Sequence, residues 1–218
     1  MNDKSLVLLS SGLDSTVNLY CAHRDGDVAL ALTFDYGQRA ASKEVACSKK
    51  LCQQLGLKHL VVDLPWFYQF TTTSLVNHKA QVPCTDQGSI DNKAHSVERA
   101  KQVWVPNRNG IFLNIAAGFA EGRGAQWVVP GFNAEEGDTF SDNTPEYLEA
   151  LNHSFSFSTA TGVKAKCYTT AMTKTEIVVL GKELGIPFDL LWPCYHGGES
   201  WCGQCESCWR FKRAMGEG

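Results

Sequence analysis

The first 64 residues alternate short apolar runs with longer stretches of helical period: 6–9, then 14–23, 28–34, 40–55 and 60–64. Apolar runs this short suit strands buried on both faces, and the stretches between them are long enough to be crossover helices. Strand, helix, strand, helix, strand at this pitch predicts parallel strands joined by right-handed crossovers. Farther on, 110–121 reads as a helix and 127–129 as another buried strand. A helix is predicted over 173–184, with Thr173 as N-cap and Glu176 completing a capping box. Gly56 and Gly185 each follow a helical run, where a left-handed residue can end it. The expected fold class is α/β, a Rossmann-like parallel sheet with helices on both faces. Residues 81–101 are polar, carry Pro83, Gly88, Asp91 and Asn92 and show no sustained period, so they read as a mobile loop and candidate lid.

A chain of 218 residues with 44% hydrophobic and 20% charged residues can bury a sizeable core. Its formal net charge of -3 argues against a general nucleic-acid binder and for a small substrate. The apolar run near the N-terminus is too short for a signal peptide or a membrane span, so a cytoplasmic protein is expected, with no membrane partner. Nine cysteines then belong to a reducing compartment, with Cys21, Cys47, Cys52, Cys84 and Cys167 as free thiols.

The other four, Cys194, Cys202, Cys205 and Cys208, stand in the string CYHGGESWCGQCESC. The last three share a two-residue spacing, and Gly197, Gly198 and Gly203 supply turns, so the segment can surround one tetrahedral ion with four thiolates. Zinc is the expected occupant, and a site closed by four thiolates is structural. This divides the chain into an α/β domain over 1–190 and a C-terminal zinc-binding knuckle over 191–218. Trp201, Trp209, Arg210, Lys212 and Arg213 give the knuckle an aromatic and basic mixture, which suits RNA contact or a homodimer interface. No long basic stripe accompanies it, which makes nucleic acid the weaker reading.

The first apolar run feeds directly into Ser10-Ser11-Gly12-Leu13-Asp14-Ser15-Thr16. Small residues at the end of a first parallel strand leave backbone N–H groups open at a helix N-terminus, which attracts phosphate, and the hydroxyls add donors. The Walker lysine and the dinucleotide glycine spacing are both absent. Asp14 is placed to hold Mg2+ between phosphates or to cap the helix.

SSGLDST resembles the SGGxDS pyrophosphate loop of the PP-loop ATP pyrophosphatases, whose fold is adenine nucleotide alpha-hydrolase-like. Further strings narrow the resemblance to the 7-cyano-7-deazaguanine synthase (QueC) family of queuosine biosynthesis: 34–39 FDYGQR, 105–109 VPNRN, 173–177 TKTEI, and Cys194-Tyr195 with the cysteine cluster. The similarity runs over essentially the whole chain in the family's order. It implies ATP as co-substrate, 7-carboxy-7-deazaguanine and ammonia as substrates, and a nitrile reached through an adenylylated carboxylate and an adenylylated amide. Relatives in defence systems resemble this family and join a deazaguanine to a protein N-terminus, an alternative that adds a protein acceptor.

The resemblance, with the strand-end position of these residues, assigns Leu9, Ser10, Ser11, Gly12, Leu13, Asp14, Ser15, Thr16, Asp35, Tyr36, Gln38 and Arg39 to ATP. Arg108, Asn109, Phe132, Asp142 and Glu146 are assigned to the substrate; Asp14, Arg108 and Lys174 are the expected catalytic groups. Asp142 is the expected reader of the base's N1 and N2 donors, with Glu146 second and Phe132, Phe140 and Tyr147 for stacking. The sequence departs from the family where Ser11 replaces the first loop glycine and where Asn143-Thr144 stands in place of Cys-Arg. The first adds a side chain beside the phosphates; the second removes a cation from the substrate region.

Overall fold

The computed structural model describes residues 3–86, 88–90 and 93–217. Five strands, β1 (Lys4–Leu8), β2 (Asp27–Asp35), β3 (His59–Asp63), β4 (Trp127–Val129) and β5 (Lys164–Ala165), form one parallel sheet in the order β3-β2-β1-β4-β5. The helices are α1 (Leu13–Asp25), α2 (Ala41–Gln54), α3 (Lys93–Val103), α4 (Arg108–Gly122), α5 (Ala134–Gly137), α6 (Pro145–Ser158), α7 (Lys174–Glu183) and α8 (Glu206–Met215). Every strand and helix predicted from the sequence is present, within a few residues at each end, including the capping box on α7. Gly56 and Gly185 have φ of +66° and +67°, as helix-ending left-handed residues.

Period-two alternation sends neighbouring strand residues to opposite faces. Val7, Ala31 and Val129 pack on Leu19 and Ala22 of α1 and on Leu51 and Cys52 of α2. Leu6, Leu32 and Val128 pack on Leu113, Ala116 and Ala120 of α4 and on Leu151 and Phe155 of α6. With α1 and α2 on one face and α4 and α6 on the other, the sheet is covered as its continuous apolar runs require. Helices α7 and α8 close over α1 through Ile177, Val178, Phe211 and Ala214 against Val17 and Cys21.

The strand order reverses at β1, since the chain leaves β3 and returns on the other side as β4. A crevice forms at such a switch point, outside the strand C-termini. Here it opens between the loops that follow β1 and β4. The loop after β4 touches the first turn of α1: a Cβ on Gly131 would lie 2.6 Å from the Ser15 backbone nitrogen and 2.7 Å from its Cα.

The segment 81–101 corrects the expectation of a loop and lid. Its C-terminal part is α3, with Arg99 and Ala100 buried, and Arg99 pairs with Glu206 at 2.9 Å. Its N-terminal part forms an antiparallel bridge from Cys84 to Cys205, and the Thr85 amide donates to the Gln204 carbonyl at 2.9 Å. These partners are more than 100 residues away in sequence, so local periodicity carries no trace of them. Residues 87, 91 and 92, the last two being the turn formers Asp91 and Asn92, lie outside the described residues.

Gly131→Ala should lower stability by about 1–3 kcal/mol, because the methyl meets backbone and not a yielding side chain. Thermal unfolding should show roughly 2–4 °C lost per kcal/mol. Gly118→Ala, where a Cβ meets nothing within 4 Å on a helix, should leave Tm equal or higher. Equal Tm values for the two variants would refute the close approach of Gly131 to the first turn of α1.

Candidate active site

At the end of β1, Ser11 takes up a left-handed backbone with φ of 57°, Gly12 is the N-cap, and α1 begins at Leu13. Ser15 Oγ accepts from the Ser10 amide at 3.2 Å and donates to the Gly12 carbonyl at 3.1 Å, closing the loop on itself. The left-handed conformation is one that glycine adopts freely and serine does not. It is held here by two bonds: Ser11 Oγ donates to the Ser10 carbonyl at 2.6 Å, and the Trp192 amide donates to the Ser11 carbonyl at 2.8 Å. Ser11 is fully buried and is not on the cavity wall, so its added side chain does not narrow the cavity.

Asp14, in the first turn of α1, meets the start of α7. Lys174 Nζ lies 2.8 Å from Asp14 Oδ2 and 2.9 Å from Glu136 Oε1, and Asn133 Nδ2 donates to Asp14 Oδ2 at 3.1 Å. Asn133 also caps α5, accepting from the Glu136 amide at 2.9 Å. Burial disfavours the Lys174 ammonium, but its two carboxylate partners more than offset this and hold its pKa above the usual lysine range. Burial alone would raise Glu136, and Lys174 instead draws it down to about 2. Asp14 is pushed up by burial against the pull of Lys174, with Glu136 adding repulsion. Its second oxygen, Oδ1, is buried without a hydrogen-bond partner. Two carboxylates against one ammonium, with one hard oxygen unsatisfied at the mouth of an anion loop, fit a divalent cation such as Mg2+.

Across the cavity, Asn107 bends into a left-handed turn with φ of 51° and starts α4 at Arg108. The Arg108 guanidinium sits beside the Tyr36 hydroxyl and the Asp142 carboxylate, and its Nε donates to Asn109 Oδ1 at 3.3 Å. Burial raises Asp142 against the pull of Arg108, and Asn143 Nδ2 donates to its Oδ1 at 3.0 Å. Phe34 stacks on Phe112 at 4.1 Å between ring centres, and Tyr36 meets Phe112 edge-on at 5.3 Å. One cavity of about 290 Å³ joins Ser10, Gly12, Asp14, Ser15 and Lys174 to Arg108, Asn109 and Asp142.

Leu9, Leu13, Tyr36, Gln38 and Phe132 line the same cavity. Ser11, Thr16, Asp35, Arg39 and Glu146 are not on its wall. Thr16 is fully buried, and Asp35 Oδ1 accepts from the Gly37 amide at 3.0 Å. Arg39, expected at ATP, instead donates to the carbonyls of Ser74 at 2.6 Å, Asn77 at 2.9 Å and Ala80. Glu146 is exposed in the first turn of α6. Cys194 and Tyr195 stand on the cavity wall and His196 does not, where a wall of Cys194-Tyr195-His196 was expected. Sequence reasoning passed over Glu44, Asn133, Glu135, Glu136, Trp192 and Arg210 as site residues, of which all but Asn133 line the cavity. For Asn133 and Glu136 a signal existed, because Asn-x-x-Glu is a helix-start pattern.

The Sγ atoms of Cys194, Cys202, Cys205 and Cys208 lie within 4.8 Å of one another. Amides of His196 and Cys202 donate to Cys194 Sγ at 3.3 Å, and that of Cys205 to Cys202 Sγ at 3.3 Å. Four sulfurs at this separation with N–H donors turned toward them form a group able to hold a metal ion. Helix α8 starts inside this group and carries Arg210, which pairs with Glu206 at 2.7 Å and Glu135 at 3.2 Å. Glu135 also binds Arg213 and accepts from the Lys174 amide at 2.9 Å. Cys194 and Tyr195 form part of the cavity wall. Among the described residues no helix is long and apolar enough to cross a membrane.

The family model for queuosine biosynthesis protein QueC matches residues 4–217. The chain belongs to the QueC family. A 7-cyano-7-deazaguanine synthase of Bdellovibrio bacteriovorus is 54% identical over 215 residues, covering 98% of this chain and 93% of that protein. One from Pelotomaculum thermopropionicum is 48% identical over 211 residues, covering 97% and 96%. Among solved structures, an NMN synthetase from Francisella tularensis matches with a TM-score of 0.50 at 18% identity, over 99% of this chain and 73% of that one, a likeness of fold alone. Measured against this QueC family, the cavity includes the start of α1, the start of α4 and the wall formed by Cys194 and Tyr195, three of the places where the family strings occur.

Lys174→Met should leave Asp14 and Glu136 facing each other without a cation, costing about 3–5 kcal/mol at neutral pH. Glu136 is depressed from 4.5 to about 2 in the folded protein, so Lys174 stabilises through it above pH 4.5, and this is lost as pH falls toward 2. Denaturant unfolding of both proteins should therefore show a gap that is widest at neutral pH and narrows below pH 4.5. A gap independent of pH would mean that the pair carries no such charge coupling.

Proposed function

We propose that this chain is a 7-cyano-7-deazaguanine synthase, converting 7-carboxy-7-deazaguanine, ammonia and ATP to the nitrile. The observation that carries this is the continuity of one cavity from the anion loop to the Arg108 and Asp142 end, in a chain of the QueC family with synthases as full-length relatives. A carboxylate resists amines because it is electron-rich and has no leaving group. Adenylylation supplies the leaving group twice: once for the acid, which ammonia then converts to the amide, and once for the amide oxygen, whose departure with AMP leaves the nitrile.

In this reading the open amides and hydroxyls of residues 10–15 hold the pyrophosphate end of ATP, where charge grows as pyrophosphate leaves. Lys174 fixes Asp14 and faces the same oxygens as a permanent cation. Mg2+ on the free oxygen of Asp14 would neutralise charge between the phosphates. Arg108 pairs with the substrate carboxylate, and Asp142 accepts from N1 and N2 of the base. Zinc on the four thiolates has a structural role, holding Cys194 and Tyr195 against the cavity while the charged contacts of α8 brace α5. A homodimer through the aromatic C-terminal segment completes the proposal.

Incubation with ATP, 7-carboxy-7-deazaguanine and ammonium should give a product with the nitrile mass and two AMP per product. Accumulation of the amide, or pyrophosphate release with no new base product, refutes the proposal; a deazaguanine mass transferred to a protein favours the defence-type alternative. Cys205→Ala should lose bound zinc and unfold at lower temperature, with activity falling as a consequence. A variant that stays folded and zinc-loaded but is inactive would place the cysteines in the chemistry.

A further inference from the structure

Glu44 lines the cavity from the first turn of α2, and the reaction as outlined gives it no role. Its Oε2 accepts from Gln38 Nε2 at 2.8 Å. Gln38 is itself fixed at both ends of its amide, donating to the Phe34 carbonyl at 2.9 Å and accepting from the Tyr36 amide at 2.9 Å. The carboxylate is thus aimed by a neutral group tied to the end of β2, and no ion pair within 4.0 Å is formed by Glu44 among the described residues. The ionisable groups around it are Arg108 from α4 and Asp35 and Tyr36 from the end of β2. Burial lifts Glu44 to about 7, with Gln38 and Arg108 pulling the other way. An ionised carboxylate in a cavity without a bonded cation is costly, and it is relieved either by taking up a proton or by a ligand that supplies positive charge.

ATP and the deazaguanine carboxylate are anions, whereas ammonia at neutral pH is almost wholly ammonium. Phe34, Tyr36 and Phe112, whose rings pack on one another, line the same cavity and make this part of it apolar. Arg108, the group assigned to the substrate carboxylate, lines the same cavity and is near enough to act on Glu44, so a cation held by Glu44 shares the cavity with that carboxylate. We propose that Glu44 binds ammonium in the cavity and takes a proton from it, delivering neutral ammonia to the acyl-adenylate. This inference rests on the ammonia-using reaction proposed above.

In the step, one N–H bond of ammonium breaks and its proton passes to the Glu44 carboxylate. The freed nitrogen lone pair forms a C–N bond to the acyl carbon. The C–O bond to the phosphate breaks, AMP departs with that electron pair, and the nitrogen sheds a second proton to water as the neutral amide forms. A base whose pKa lies close to the working pH suits this transfer.

Glu44→Gln keeps an oxygen for Gln38 and tests the step. Pyrophosphate exchange into ATP, driven by 7-carboxy-7-deazaguanine, should stay within about threefold of wild type, while amide formation from ammonium at neutral pH falls by ~100-fold. The deficit should shrink as pH rises and free ammonia becomes available, and the limb near pH 7 in kcat/KM for ammonium should vanish. Hydroxylamine, largely uncharged at neutral pH, should give the hydroxamate at near wild-type rate in both proteins. Wild-type amide formation by the variant, or parallel loss of exchange and hydroxamate formation, overturns the role of Glu44 and leaves the proposed function standing. Absence of substrate-dependent exchange in the wild type sinks both.

Discussion

The organisation of this protein depends on a buried charge cluster at the switch point of its sheet. Lys174 at the start of α7 holds Asp14 at the start of α1 and Glu136 on α5, so three elements from distant parts of the chain meet through one ammonium. Such a cluster is strongly destabilising when broken and gives little net stability when whole. Its value here is positional. It sets the first turn of α1, and hence the loop before it, against the loop that follows β4, and leaves one buried Asp14 carboxylate oxygen without a hydrogen-bond partner.

The four-cysteine segment extends the same bracing outward. Its helix α8 reaches back through Arg210 and Arg213 to Glu135, whose other oxygen accepts from the Lys174 amide. Arg99 of α3 joins at Glu206, and the Cys84 to Cys205 bridge adds a backbone link. A closed metal-binding group has no position for a reactant, yet it is mechanically continuous with the active site. Its sulfurs, its helix and the cavity wall at Cys194 and Tyr195 form one connected unit.

The sheet and its crossover helices were legible because their signals are local. Buried strands need unbroken apolar runs, helices need their period and caps, and both are written within a dozen residues. The turn from β1 into α1 at residues 10–13 was legible for the same reason: small residues between an apolar run and a helical period mark a tight strand-to-helix turn. Helix α3 was not, because its buried face is completed by Glu206, and an isolated stretch of that polarity carries no period to detect. Arg39 shows the converse. Its place after β2 suggested a phosphate contact, and only the folded chain reveals three carbonyls of residues 74–80 converging on its guanidinium.

By itself the sequence determined the fold class, the family, the tight turn after β1 and the grouping of the four cysteines, since each rests on residue types at short, fixed spacing. Tertiary structure alone decided which side chains share the cavity. Glu44 and Glu136 stand in segments whose local patterns are ordinary, and they join the site only because α2 and α5 are brought to the same cavity. The physical reason is that packing and charge pairing act across space. A carboxylate's partners, burial and pKa are properties of what folds against it, and at Glu44 and Lys174 those neighbours come from several different elements.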